Sequence, residues 1–220
     1  MGISAKQVKE LRDSTGAGMM ACKKALIECG GNIDEAKDYL KKKGIADSKK
    51  RANRSASEGI AIAKSISGGK GALLLELNCE TDFVARNETF VDFANSLADF
   101  AAETDDFDTA SLMKRDFGGV ELGEKIQEQS GKTGEKLVLR RLGKVSVPDN
   151  SAGGVGHYIH DGGKIGVVVA MATANTEDTS TDAFNQLVKD LAMHVAACSP
   201  VVVSDREIPA DLLNKEKEIF

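Results

Sequence analysis

Apolar residues recur along this chain in two rhythms, and the change from one to the other divides it. Near the start the period is helical. Val8 and Leu11 share a face of the first segment, which Ser4 can cap with Gln7 completing a capping box. Residues 15–18, Thr-Gly-Ala-Gly, break it. Cys22, Ala25, Leu26 and Cys29 then recur at i, i+3, i+4 and i+7, predicting a second helix ended by Gly30 and Gly31. Asn32 and Glu35 cap a third, whose inward positions are Ile33, Ala36 and Leu40 and which Gly44 is expected to end. Three short helices over residues 1–45 make a module of marginal size for independent stability. Residues 46–57 follow as a basic linker; the run 41–54 holds seven Lys/Arg and no Pro.

Beyond residue 58 the rhythm becomes strand-like and the pattern occurs twice. At a shift of 94 residues, Gly68-Gly69-Lys70 falls on Gly162-Gly163-Lys164, Phe90 on Phe184, Leu97 on Leu191 and Ala102 on Ala196. Each copy reads strand, Gly-rich hairpin turn, strand, loop, amphipathic helix. The first helix presents Phe90, Phe93, Ala94, Leu97, Phe100 and Ala101 on one stripe, the second Phe184, Leu187, Val188, Leu191 and Val195. Residues 107–129 look helical with Met113, Phe117 and Leu122 as anchors, and residues 137–147 look like a further strand of the second copy. The expectation is an α+β chain: a three-helix module, a first core unit at 58–135 and a second at 136–220, each an antiparallel sheet with packed helices.

Charge reinforces that division. The chain of 220 residues has a net charge of −5, yet residues 1–54 carry 13 Lys/Arg against 7 Asp/Glu, and the remainder 16 against 27. With 41% apolar residues a packed core is expected. The longest apolar run, residues 167–174, is far too short to span a bilayer, and residues 1–16 lack the apolar stretch of a secretory signal. Cys22, Cys29, Cys79 and Cys198 form no CxxC pair, which suits buried thiols in a reduced, cytoplasmic setting.

Several motifs suggest chemistry that their surroundings do not support. Gly16-Ala-Gly18-Met-Met-Ala21 has the form of a dinucleotide fingerprint, but an amphipathic segment precedes it where a parallel strand is needed, so a helix–helix turn is expected. Gly131-Lys132-Thr133 has the form of a phosphate loop, but Ile126 stands where its first glycine belongs. His157 and His160 fall on opposite faces of a strand, and His194 lies on the register of Phe100, the position of a core histidine. No nucleophile, base and orienter come together. The basic run lacks interleaved aromatics, so a protein partner is expected rather than a specific nucleic acid.

One stretch stands apart. Between the second strand and the helix of the first copy lie Asn78-Cys-Glu-Thr81-Asp82-Phe83-Val84-Ala-Arg86-Asn87, where the other copy has a polar loop. Phe83 has two readings: folded back on the core, or an apolar wedge beside a carboxylate that enters a partner.

Residues 11–26 (LRDSTGAGMMACKKAL) and 77–86 (LNCETDFVAR) resemble the bacterial elongation factor Ts family. The likeness continues through Gly143-Lys144, Tyr158-Ile-His160 and residues 164–169 and 191–197, and covers essentially the whole chain. It implies a ubiquitin-associated-like N-terminal domain and two related α+β subdomains. It also implies a guanine-nucleotide exchange factor for elongation factor Tu, with no enzymatic activity and no cofactor. By this resemblance Arg12, Met19 and Met20 dock on the partner's GTP-binding domain. Thr81, Asp82, Phe83 and Val84 dislodge its Mg²⁺, and His160 touches a second domain. Two departures accompany it: Thr133 replaces an apolar contact residue, and the sequence ends within an amphipathic pattern after Pro209, where long members continue.

Overall fold

The computed structural model describes residues 2–105 and 108–219, and shows an α+β protein. Its first three helices are α1 (Ala5–Thr15), α2 (Met19–Glu28) and α3 (Ile33–Lys50). Local chemistry sets their starts. Ser4 Oγ accepts the Gln7 N–H while Gln7 Oε1 accepts the Ser4 N–H, and Asn32 Oδ1 accepts from Asp34 and Glu35. Val8, Leu11, Cys22, Ala25, Leu26 and Ala36 close into a small core of their own. Gly16 and Gly18 form the α1–α2 turn, not a phosphate-binding loop.

Gly44 does not end α3. The helix runs on to Lys50, so the first part of the expected linker is helical. Here the glycine serves packing. A later helix, α7 (Leu122–Thr133), crosses α3 at Gly44 and Gly131, where a Cβ on Gly131 would lie 2.6 Å from Gly44 Cα. Lys49 and Lys50 in the last turn favour the helix's negative end. The Ser130–Thr133 segment with a phosphate-loop look is therefore the end of a helix.

Strands β1 (Glu58–Ile66), β2 (Gly71–Cys79) and β3 (Val138–Ser146) form one antiparallel sheet in the order β1-β2-β3. This corrects the placement of residues 137–147 in the second unit: the strand pairs with β2, with Leu139 opposite Leu77. Strands β4 (Ala152–His160) and β5 (Ile165–Thr173) form a second, two-stranded sheet that packs against the first. A Cβ on Gly166 would fall 2.7 Å from Leu74 Cδ1 and 2.9 Å from Ala61 Cβ, so glycine permits that close approach. Helix α5 (Glu88–Ala102) packs on β1 and β2, and α8 (Asp182–Cys198) on β4 and β5. Because β2 is covered by α5 and by the second sheet, Ala72, Leu73, Leu75 and Leu77 are all fully buried.

After α5 the expected helix over 107–129 is interrupted. Phe107 lies outside the described residues; α6 (Thr109–Leu112) precedes a turn through Gly118 and Gly119, both at positive φ, and α7 follows. That segment seals the first core. Leu112, Leu122 and Ile126 are buried, and Phe117 meets Phe93 and Phe100 edge-on at centroid distances of 6.4 and 5.0 Å. The second unit has no such cover among the described residues. Phe184, Val188 and Ala192 are buried, whereas Leu187, Leu191 and His194, on the register of Phe93, Leu97 and Phe100, are exposed. His194 is thus not a core histidine; its Nε2 lies 3.6 Å from the exposed thiol of Cys198. Cys22 and Cys79 are buried, Cys29 partly so. The last described helix is α9 (Ala210–Ile219).

Candidate functional site

The strand β2 ends at Cys79 and hands over to a single helical turn, α4 (Asp82–Ala85), before α5 begins. Two caps in tandem produce this step. Thr81 Oγ1 accepts the Val84 N–H at 3.4 Å, and Asn87 Oδ1 accepts the Thr89 N–H at 3.0 Å. The turn sorts its side chains. Val84 and Ala85 pack against the first core, while Phe83 points out with 84% of its surface exposed. Of the two sequence readings, the exposed one is what the geometry shows. Asp82 stands beside it, 3.5 Å from Arg86 Nη2 in an open ion pair that contributes little to stability.

Beneath the turn lies a set of carboxylate bonds that the sequence did not reveal. Glu135 Oε2 accepts the backbone N–H groups of Glu80 and Thr81 at 3.0 and 3.1 Å, and Glu135 Oε1 accepts the Thr81 hydroxyl at 2.6 Å. Glu80 Oε1 accepts the Lys136 N–H at 2.6 Å and also receives Arg54 Nη1 at 3.3 Å. Glu135 is itself pinned, its N–H donating to Thr133 Oγ1 at 3.3 Å and its carbonyl accepting Ser130 Oγ at 2.5 Å. Thr133 thus braces Glu135 through its hydroxyl. Arg51 Nη2 donates to the Ser130 carbonyl at 3.0 Å, tying the end of α3 to the same cluster. Burial, and then the nearby charge of Glu135, push the Cys79 thiol up to about 12, so it stays protonated and its Sγ donates to the Thr81 carbonyl.

The remaining candidate residues lie on other elements. Arg12 is exposed on α1, and Met19 and Met20 open α2 with 55% and 76% of their surfaces exposed. The turn between Arg12 and Met19 is not remote from the Phe83 turn. Ser14, Thr15 and Gly16 line one side of a cleft of about 570 Å³ whose other side holds Val84, Asn87 and Thr133. His160 is separate, at the exposed end of β4, where its Nδ1 lies 2.9 Å from the Tyr158 hydroxyl. The turn after it sits over Ile60 and Ala61 of β1.

Among the described residues no cluster of three or more His, Cys, Asp or Glu could hold a metal ion, and no helix is long and apolar enough to cross a membrane. What the site offers is exposed apolar side chains beside charged ones on a braced turn, the composition of a surface that binds another protein.

Known proteins share this chain's sequence over nearly its whole length. The family profile described as Elongation factor TS matches residues 80–220. Elongation factor Ts of Chlorobaculum parvum is 46% identical over 222 residues, which is 99% of this chain and 74% of that protein. Elongation factor Ts of Chlorobium phaeobacteroides is 45% identical over 223 residues, with the same shares. That of Trichlorobacter lovleyi is 42% identical over 224 residues, 100% of this chain and 71% of the relative. The chain belongs to the elongation factor Ts family.

Proposed function

We propose that this protein is a guanine-nucleotide exchange factor that binds elongation factor Tu and promotes GDP release during translation elongation. It works in the cytoplasm, catalyses no reaction of its own and uses no cofactor. Arg12, Met19 and Met20 of residues 1–45 dock on the GTP-binding domain of the partner. Thr81, Asp82, Phe83 and Val84 enter beside its Mg²⁺ and phosphate site, and His160 touches a second domain. The observation that carries this reading is Phe83, 84% exposed at the tip of a turn held by charge-assisted hydrogen bonds.

The energetics divide the task. Exchange factors weaken GDP binding only as far as they prefer the nucleotide-free partner, and linkage makes the effect mutual. A 10⁴-fold weakening needs about 5.5 kcal/mol of differential binding. Burying one Phe contributes roughly 1.5–3 kcal/mol. Phe83 therefore accounts for part of it, and Asp82, brought toward the nucleotide's phosphates and their metal, contributes by like-charge repulsion and by competing for Mg²⁺. The exposed methionines supply adaptable apolar contact at the docking module.

Stopped-flow release of fluorescently labelled GDP from elongation factor Tu tests the reading. The wild-type chain is expected to accelerate release, and Phe83→Ala and Asp82→Ala each to reduce that acceleration by about tenfold or more. Wild-type acceleration by both variants would show that the turn does not act on the nucleotide site.

A further inference from the structure

We infer that Glu135 is a positioning residue for exchange: through its grip on Glu80 and Thr81 it fixes the direction in which Phe83 points. The inference rests on the exchange reading above and adds to it a residue far from the wedge in sequence. Glu135 takes three donors from two consecutive residues, the N–H groups of Glu80 and Thr81 and the Thr81 hydroxyl. Glu80 answers by accepting the Lys136 N–H. The two segments clasp each other, each carboxylate holding the other's backbone. Bonds of this kind, with one ionised partner, are short and stronger than neutral ones.

The clasp reaches Phe83 through Thr81. A hydroxyl has one proton and must aim it. Because Thr81 Oγ1 gives its proton to Glu135, its lone pairs face the Val84 N–H and cap the single turn that carries Phe83. A four-residue helix has little stability of its own, so its direction depends on such a cap. Glu135 is in turn held at both its N–H and its carbonyl, and Arg51 joins α3 to Ser130, next in that chain of bonds.

The repeat shows that folding alone does not require the clasp. In the second unit the register of Glu80 and Thr81 is occupied by Ala174 and Asn175. There the strand reaches its helix through local bonds, Thr173 Oγ1 to Asp178 Oδ2 and Thr181 Oγ1 to the Asp178 carbonyl, over a 3-10 turn. The same connection is thus built without a long-range carboxylate where no exposed aromatic has to be presented.

The experiment uses the full chain in the stopped-flow assay with Glu135→Ala, Phe83→Ala and their double variant, fitting limiting rate and half-saturating concentration separately. Glu135→Ala is expected to lower the limiting rate about tenfold while shifting half-saturation less than about twofold, because Arg12, Met19 and Met20 are untouched. The double variant is expected to be no slower than Phe83→Ala alone, since Glu135 acts through that side chain. Should Glu135→Ala not fold, Glu135→Gln, which keeps the acceptor oxygen, takes its place and is expected to retain more of the rate. In Glu135→Gln the amide resonances of Glu80 and Thr81 are expected to move. A slowed Phe83→Ala beside an unaffected Glu135→Ala would overturn the positioning role and leave the exchange reading intact. Additive losses in the double variant, or unmoved Glu80 and Thr81 amides, would overturn it too. An unaffected Phe83→Ala would overturn both.

Discussion

The crossing of α3 over α7 makes an asymmetric prediction, because the two glycines that meet there are not equivalent. A methyl group added at Gly131 would sit 2.6 Å from Gly44 Cα, and 3.2 and 3.3 Å from the carbonyl carbon and oxygen of that residue. All three are backbone atoms, so the helices themselves must part by several tenths of an ångström. A methyl group at Gly44 meets Gly131 Cα at 3.4 Å, which is ordinary contact. Both sites are helical, so either substitution gains up to about 1 kcal/mol of helix propensity. At Gly131 overpacking costs about 1–3 kcal/mol against that gain, for a net loss of up to about 2 kcal/mol. At Gly44 nothing opposes the gain. For a chain of this length 1 kcal/mol corresponds to about 2–4 °C in Tm. Thermal unfolding followed by circular dichroism should therefore show Gly131→Ala melting several degrees below the wild type, and Gly44→Ala at or above it. A Gly131→Ala protein as stable as the wild type, or the reverse order of the two variants, would refute the close-packed crossing and with it the physical reason given for α3 continuing past Gly44.

Two further outcomes follow from burial and charge. Leu97 and Leu191 occupy the same register of the two copies, but Leu97 is fully buried and Leu191 is not. In urea unfolding Leu97→Ala should lose about 2–5 kcal/mol and Leu191→Ala less than about 1 kcal/mol; equal losses would contradict the open face of α8. Burial and the charge of Glu135 raise the Cys79 thiol from its ordinary 9.0 to about 12. Between those values the folded chain holds a proton that the unfolded chain has released, so stability is full below about pH 9 and falls as pH rises toward 12. Urea midpoints at pH 8 and pH 10 should show this decline in the wild type and a smaller one in Cys79→Ala; identical declines would refute it.

The features legible in the sequence are those whose causes are local. Ser4 with Gln7, and Asn32 with Glu35, marked helix starts because a cap and its helix lie within one turn. Both hairpins were legible because Gly68 and Gly162 occupy turns at positive φ. What was hidden depends on a distant partner. Gly44 reads as a helix terminator until Gly131 is seen across from it. Strand β3 joins β2 rather than the unit that follows it, and nothing in its own residues encodes that choice. Leu187 and Leu191 have the pattern of a buried stripe, but a stripe is buried only where another segment covers it, as Leu112 and Leu122 do in the first copy. At the candidate site the sequence isolated residues 78–87, left the direction of Phe83 open, and gave no sign of Glu135. The bond between Glu135 and Thr81 spans 54 residues, and no periodicity reports it.

That separation has a consequence for how the protein is made. Residues 80 and 81 leave the ribosome more than fifty residues before the carboxylate that will hold them. Until α7 has formed and delivered Glu135, the turn that carries Phe83 lacks the carboxylate that holds Glu80 and Thr81. A nascent or partly folded chain therefore carries the Phe83 sequence without displaying the Phe83 shape. The clasp around the Phe83 turn is complete only when the first unit has closed on itself, so its presence reports that folding there is complete.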